Sequence, residues 1–79
     1  MVTVRYFAGA RAAAGVPAEE VPAGTLTELL TALDSGHGPE LSKVLGACSF
    51  LVDGVAAHDR TAILAPGATV DVLPPFAGG

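Results

Sequence analysis

Gly24-Thr25-Leu26-Thr27-Glu28-Leu29-Leu30-Thr31-Ala32-Leu33, residues 24–33, is the stretch on which the fold turns. Leu26, Leu29, Leu30 and Leu33 recur at i, i+3, i+4 and i+7, so a helix gathers them into one apolar stripe. Thr25 stands where an N-cap is needed, and Glu28, three residues on, completes a capping box. A stripe of leucines on one helix has to be covered. The rest of the chain must therefore supply a sheet for it to lie on.

Working outward, alternation appears on both sides. In residues 2–7, VTVRYF, Val2, Val4 and Tyr6 fall on one face and Thr3, Arg5 and Phe7 on the other, the period of a strand with one buried side. The middle of the adjoining GARAAAGVP is read as a short helical turn, and AEEVPA as a brief second strand forming a loose hairpin with the first. Ser35-Gly36-His37-Gly38-Pro39 is expected to stop the leucine helix; Leu41, Val44 and Leu45 then mark a second, shorter helical segment ending near Gly46.

From Cys48 the alternation returns. Cys48, Phe50 and Val52 share a face, and Asp53-Gly54 is a strong hairpin dipeptide. VAAHDRTAIL has room for a short fourth strand of undefined register. After the turn at Ala65-Pro66-Gly67, residues 69–73 form the last strand, with Val70 and Val72 inward and Asp71 and Leu73 outward. The predicted order is α+β: a mixed four- to five-stranded sheet with one main helix on one face. One helix packed closely on four or five short strands is the ubiquitin-like β-grasp.

Composition agrees. At 79 residues the chain is one small domain that must commit most of its length to a core, and 51% hydrophobic against 15% charged residues excludes intrinsic disorder. A lone Cys48 rules out an internal disulfide framework and favours a reducing, cytoplasmic setting. The start MVTVRYFAGAR lacks the basic and apolar regions of a signal peptide, and no apolar run approaches the roughly 18 residues of a membrane helix, so a soluble, unexported protein is expected with no membrane partner. A net charge of −4 opposes attraction to phosphate backbones, which makes nucleic acid an unsuitable partner.

The chain ends Leu73-Pro74-Pro75-Phe76-Ala77-Gly78-Gly79. This resembles the ending of the small subunit of molybdopterin synthase and its relatives, the MoaD/ThiS-like sulfur carriers. Val4-Arg5-Tyr6-Phe7-Ala8-Gly9-Ala10-Arg11 is similar to that family's first strand, Arg11 and Gly15 fall where it usually has Arg and Gly, and Thr25-Leu26-Thr27-Glu28-Leu29-Leu30 matches its helix start. The resemblance covers essentially the whole chain.

The tail has a physical reading of its own. Pro74 and Pro75 lack N–H groups and fix φ, ending strand pairing and projecting the last residues as an extended arm; Gly78 and Gly79 have no Cβ, so their backbone passes through a channel too narrow for side chains. The expected division is a β-grasp domain over residues 1–75 and a flexible, sulfur-carrying tail over residues 76–79, with Ala77 and Gly78 threading a partner's active site. The Gly79 carboxylate, ordinarily ionised above about pH 4, is a poor electrophile. The resemblance implies that an E1-like, MoeB-like enzyme adenylates it with ATP, after which a sulfur donor protein converts it to a thiocarboxylate. In the molybdopterin branch this sulfur goes, in two transfers, to a cyclic pterin precursor held by a MoaE-like large subunit. The chain itself then binds no cofactor and has no side-chain active site.

Docking must aim the tail. Phe7 and Leu73 face away from the helix, and in a β-grasp the first and last strands are adjacent and parallel, so Phe7, Leu73, Pro75 and Phe76, with Arg11, are the expected partner interface. Arg11 is read either as a contact to the tail or to a partner's acidic group, or as a tie for the loop after strand one. Cys48 is read as a small buried hydrophobe in preference to a sulfur relay. His37 and His58 are read as surface loop residues without metal spacing, and Glu19-Glu20 as a solvated edge. No GxGxxG or GxxxxGK[ST] occurs, so any ATP is a partner's. Carriage for thiamin or another sulfur-containing metabolite, a ubiquitin-like modifier joined through Gly79 to lysines, and a plain binding module remain as alternatives.

Overall fold

The computed structural model describes residues 1–75; the expectations for Phe76, Ala77, Gly78 and Gly79 lie outside the described residues. Among the described residues eight elements succeed one another: β1 (Val2–Tyr6), α1 (Ala8–Ala14), β2 (Ala18–Val21), α2 (Leu26–His37), α3 (Pro39–Leu45), β3 (Ser49–Val52), β4 (Val55–Ala56) and β5 (Thr69–Leu73). They build a five-stranded sheet ordered β2-β1-β5-β3-β4, in which β1 and β5 run parallel and every other neighbouring pair antiparallel. This is the ubiquitin-like β-grasp that the leucine stripe and the flanking alternation predict.

The core lies between the sheet and α2. Val2, Val4, Tyr6, Val70, Val72 and Phe50 present one face, and Leu26, Leu29 and Leu33 of α2 close on it, joined by Leu41 and Leu45 of α3. Burying each such side chain contributes about 1.5–3 kcal/mol. The capping box is present: the Thr25 hydroxyl accepts from the Glu28 N–H at 3.1 Å, and the Glu28 carboxylate accepts from the Thr25 N–H at 3.1 Å and the Gly24 N–H at 2.7 Å. The Asp53-Gly54 hairpin also forms, with both residues at positive φ (49° and 82°) as a tight two-residue turn of primed type demands.

Several local expectations change. The turn foreseen after β1 is a seven-residue helix, α1, closed by Gly15 in the left-handed region with its N–H on the Arg11 carbonyl. Helix α2 does end within the expected stretch Ser35-Gly36-His37-Gly38-Pro39, but late in it: it runs through Ser35-Gly36 to His37, and Gly38 separates it from α3, whose first residue is Pro39. Of VAAHDRTAIL only Val55–Ala56 is a strand. The remainder is pinned to the start of α2, where the Leu26 and Thr27 N–H groups donate to the carbonyls of Ala62 (3.0 Å) and Arg60 (2.8 Å). Irregular backbone thus satisfies two of the orphan donors of a helix N-terminus.

The last turn of α2 places a polar cluster where the sequence suggests solvated groups. The Tyr6 hydroxyl donates to Glu19 Oε2 at 2.6 Å, the same carboxylate oxygen meets His37 Nε2, and the Tyr6 and His37 rings meet edge to face with centroids 6.0 Å apart. His37 is therefore no loop residue, and Glu19 is no solvated edge. It joins β2, β1 and the end of α2. Burial, with help from the bond to Glu19, raises the Tyr6 phenol above its ordinary value near 10. A raised native pKa on a neutral acid gives stability that is present below about pH 10 and lost as pH rises above it. Denaturant unfolding between pH 8 and pH 11 is expected to show this alkaline loss, with a slope below about 1.4 kcal/mol per pH unit. In Tyr6→Phe that component disappears; an unchanged slope in the variant contradicts the assignment.

Candidate functional site

The face of the sheet away from α2 is where the predicted interface falls. The register aligns Arg5 with Asp71 and Asp71 with Leu51, and the Phe7 N–H donates to the Val72 carbonyl at 3.2 Å, so β1 and β5 finish side by side. Phe7 and Leu73 consequently occupy neighbouring outward positions, Phe7 39% exposed and Leu73 half-buried. Ala8 takes a left-handed conformation (φ 49°), an uncommon choice for a residue with a Cβ, and turns the chain from β1 straight into α1. That turn leaves Phe7 at the rim of the sheet. Pro74 is half-buried and Pro75 exposed as the chain leaves β5 at the same end.

Arg11 lies one helical turn further, its N–H on the Phe7 carbonyl at 3.4 Å. Its side chain is exposed and has no hydrogen-bond or ion-pair partner among the described residues. Together with Ala8, Ala12, Gly15, Val16 and Pro17 it lines an open depression of about 380 Å³. The structure thus brings Phe7, Leu73, Pro75 and Arg11 to one end of the domain, around the point where residues 76–79 begin.

Asp71 is placed outward by alternation, yet it is the buried charged residue among those described, only 8% exposed. Arg5 covers it from the adjacent strand: Nε donates to Oδ1 at 2.6 Å and Nη2 to Oδ2 at 2.9 Å. The hydrogen bonds first, and the Coulombic attraction second, raise the guanidinium's pKa above its already high ordinary value. The Arg5 Cζ also stands 5.7 Å from the centroid of the Phe7 ring. Nothing local in the sequence marks this array; its signal is two opposite charges at corresponding outward positions of the first and last strands.

The remaining candidates are inert or distant. Cys48 is half-buried, its thiol donates to the Val44 carbonyl at 3.1 Å, and burial pushes its pKa up, which keeps it protonated and weakly nucleophilic. His58 is exposed in the loop after β4. Among the described residues no three His, Cys, Asp or Glu side chains gather as a metal-binding group, and no helix is long and apolar enough to cross a membrane.

Comparison with known proteins places these features. No curated protein sequence matches the chain. Among solved structures it is similar to SAMP1 from Haloferax volcanii, at 28% identity over 99% of this chain and 98% of that one, with a TM-score of 0.84. It is similar to a putative molybdopterin converting factor subunit 1 from Pyrococcus furiosus, at 31% identity over 95% of this chain and 97% of that one, with a TM-score of 0.78. A third likeness comes from a complex of subunits 1 and 2 of the molybdopterin-converting factor of Helicobacter pylori, at 26% identity over 99% of this chain and 97% of the matched one, with a TM-score of 0.77. A family model matches residues 4–79, from β1 through the terminal glycines, and with a relative 31% identical over nearly the full length it shows that the chain belongs to the ThiS family, the MoaD/ThiS-like proteins of β-grasp fold.

Proposed function

We propose that this protein is a sulfur carrier acting as the small subunit of a molybdopterin synthase, with the Gly79 carboxylate as its reacting group. The observation that carries the reading is the convergence of Phe7 and Leu73 on parallel β1 and β5 at the end where Pro74 and Pro75 lead out of the sheet. An exposed apolar patch at that point fits docking onto a partner that receives residues 76–79. Membership of the ThiS family and the likeness to the converting-factor subunits support it.

In this reading an E1-like, MoeB-like enzyme binds ATP, and the Gly79 carboxylate attacks the α-phosphorus with loss of pyrophosphate. A persulfide on a sulfur donor protein then displaces AMP from the acyl adenylate, and a second thiol attacks the resulting acyl disulfide, releasing the thiocarboxylate and leaving a disulfide on the donor. The MoaE-like large subunit receives that sulfur onto a cyclic pterin precursor. Phe7, Leu73, Pro75, Phe76 and Arg11 dock, Ala77 and Gly78 thread the partner's site, and the chain holds no ATP or other cofactor. Residues 1–75 are the folded carrier and residues 76–79 the reactive tail. The setting is cytoplasmic, in keeping with a single, unpaired Cys48.

A second reading is a protein modifier, favoured by the likeness to a small archaeal modifier protein of Haloferax volcanii. One reconstitution separates the two. Thiocarboxylated carrier, large subunit and cyclic pterin precursor are expected to yield a pterin dithiolene as the carrier returns to its carboxylate. Absence of sulfur transfer, with isopeptide-linked adducts of Gly79 accumulating in cells, selects the modifier instead.

A further inference from the structure

We infer that the Arg5–Asp71 pair is a specificity determinant of the docking face, selecting a protein partner that sets an uncharged acceptor, a main-chain carbonyl, against the guanidinium. The inference rests on the docking face proposed above and adds to it the chemistry that the partner must present.

The fold itself does not call for this pair. Outward positions on β1 and β5 tolerate apolar or small polar residues, and a covered ion pair is generally no more stabilising than an apolar pair of the same volume. The geometry nevertheless constrains Arg5 closely. Two of the guanidinium's N–H groups form a fork onto the Asp71 carboxylate at 2.6 and 2.9 Å, and its carbon stands over the Phe7 ring. The guanidinium carries five N–H groups, and those left over have no partner among the described residues, while the side chain is 52% exposed. A planar donor is therefore held in one orientation beside the apolar Phe7–Leu73 patch.

Docking removes water from those remaining N–H groups. An entirely apolar partner surface leaves them unsatisfied and is rejected. Lysine or arginine on the partner meets Arg5 first, because Asp71 is too covered to be reached. A carboxylate is disfavoured in turn: Asp71 already neutralises Arg5, and Glu20, opposite Thr3 in the β1–β2 register and exposed, adds negative charge to the same face. A neutral acceptor satisfies the donors without either conflict.

The test is calorimetric titration of full-length carrier with two probes, the molybdopterin synthase large subunit and the adenylating enzyme of the same organism. R5K keeps the charge and loses the fork; D71N keeps the shape and releases Arg5. Each is expected to weaken binding about tenfold or more with the domain still folded at the titration temperature, the double variant no further than the worse single, and wild-type affinity is expected to depend little on salt. In the wild type, the Arg5 side-chain N–H resonances are expected to shift on adding partner, which a purely structural pair does not produce. Wild-type affinity in R5K and D71N, unmoved Arg5 resonances, or a steep salt dependence that marks a partner carboxylate overturns the inference. Binding of the adenylating enzyme alone, with the same sensitivity to R5K, upholds it while removing the molybdopterin assignment; binding of neither probe overturns both.

Discussion

Deleting Gly79 is expected to abolish sulfur transfer while leaving the domain folded. Every core side chain lies between Val2 and Val72, so a truncation seven residues beyond that limit removes none of them. It does move the terminal carboxylate back by one residue, about 3.3–3.6 Å of extended chain. Misplacement of a reacting group by as little as ~1 Å can cost a factor of about 100, so loss of at least that size is expected both in thiocarboxylate formation and in transfer. The measurements are single-turnover transfer by the truncated carrier and its thermal unfolding. Retained transfer identifies the ending as incidental and returns the chain to the class of plain binding modules.

Leu29→Ala is expected to produce the largest loss of stability. Leu29 is fully buried in the middle of α2, on the face that closes over β1 and β5. Truncating such a leucine costs about 2–5 kcal/mol, from lost transfer energy and from a cavity that neighbouring side chains only partly fill. A domain of this length has about 5 kcal/mol in total, so the variant should be largely unfolded near its growth temperature or lose most of its denaturant midpoint. Leu30→Ala, on the same helix but only half-buried, should lose clearly less. Equal midpoints for Leu29→Ala and wild type contradict the placement of the core.

The parts of the fold that can be read from the chain are those whose causes are local. Thr25 and Glu28 announce the start of α2, the leucine spacing announces its buried face, and Asp53-Gly54 fixes a hairpin because few residues accept two consecutive positive φ angles. Alternation also places Arg5, Phe7, Asp71 and Leu73 correctly on the outer face. It cannot convey which of them touch. The burial of Asp71 depends on a residue 66 positions away. The Tyr6–Glu19–His37 cluster depends on α2 continuing through Ser35-Gly36, a pair that propensity alone would treat as a stop. Both residues are exposed, and the turn that they complete is held by the residue beyond them, His37, against Glu19 and the Tyr6 ring. Of the loop from Ala57 to Ala68 only the turn at Ala65-Pro66-Gly67 is legible, with the Ala68 N–H on the Ala65 carbonyl and Gly67 at positive φ; Arg60, Ala62 and Leu64 bond to the start of α2, more than thirty residues earlier, and leave no periodicity.

The central claim is that the chemistry resides in the terminal carboxylate of Gly79 and in no side chain of the domain. Intact-mass measurement of the purified chain, after incubation with ATP, the adenylating enzyme and a sulfur donor, tests it most directly. The predicted result is a gain equal to exchange of one oxygen for sulfur, localised to Gly79 and absent when ATP is omitted. An unchanged mass, or sulfur found on Cys48 instead, contradicts it.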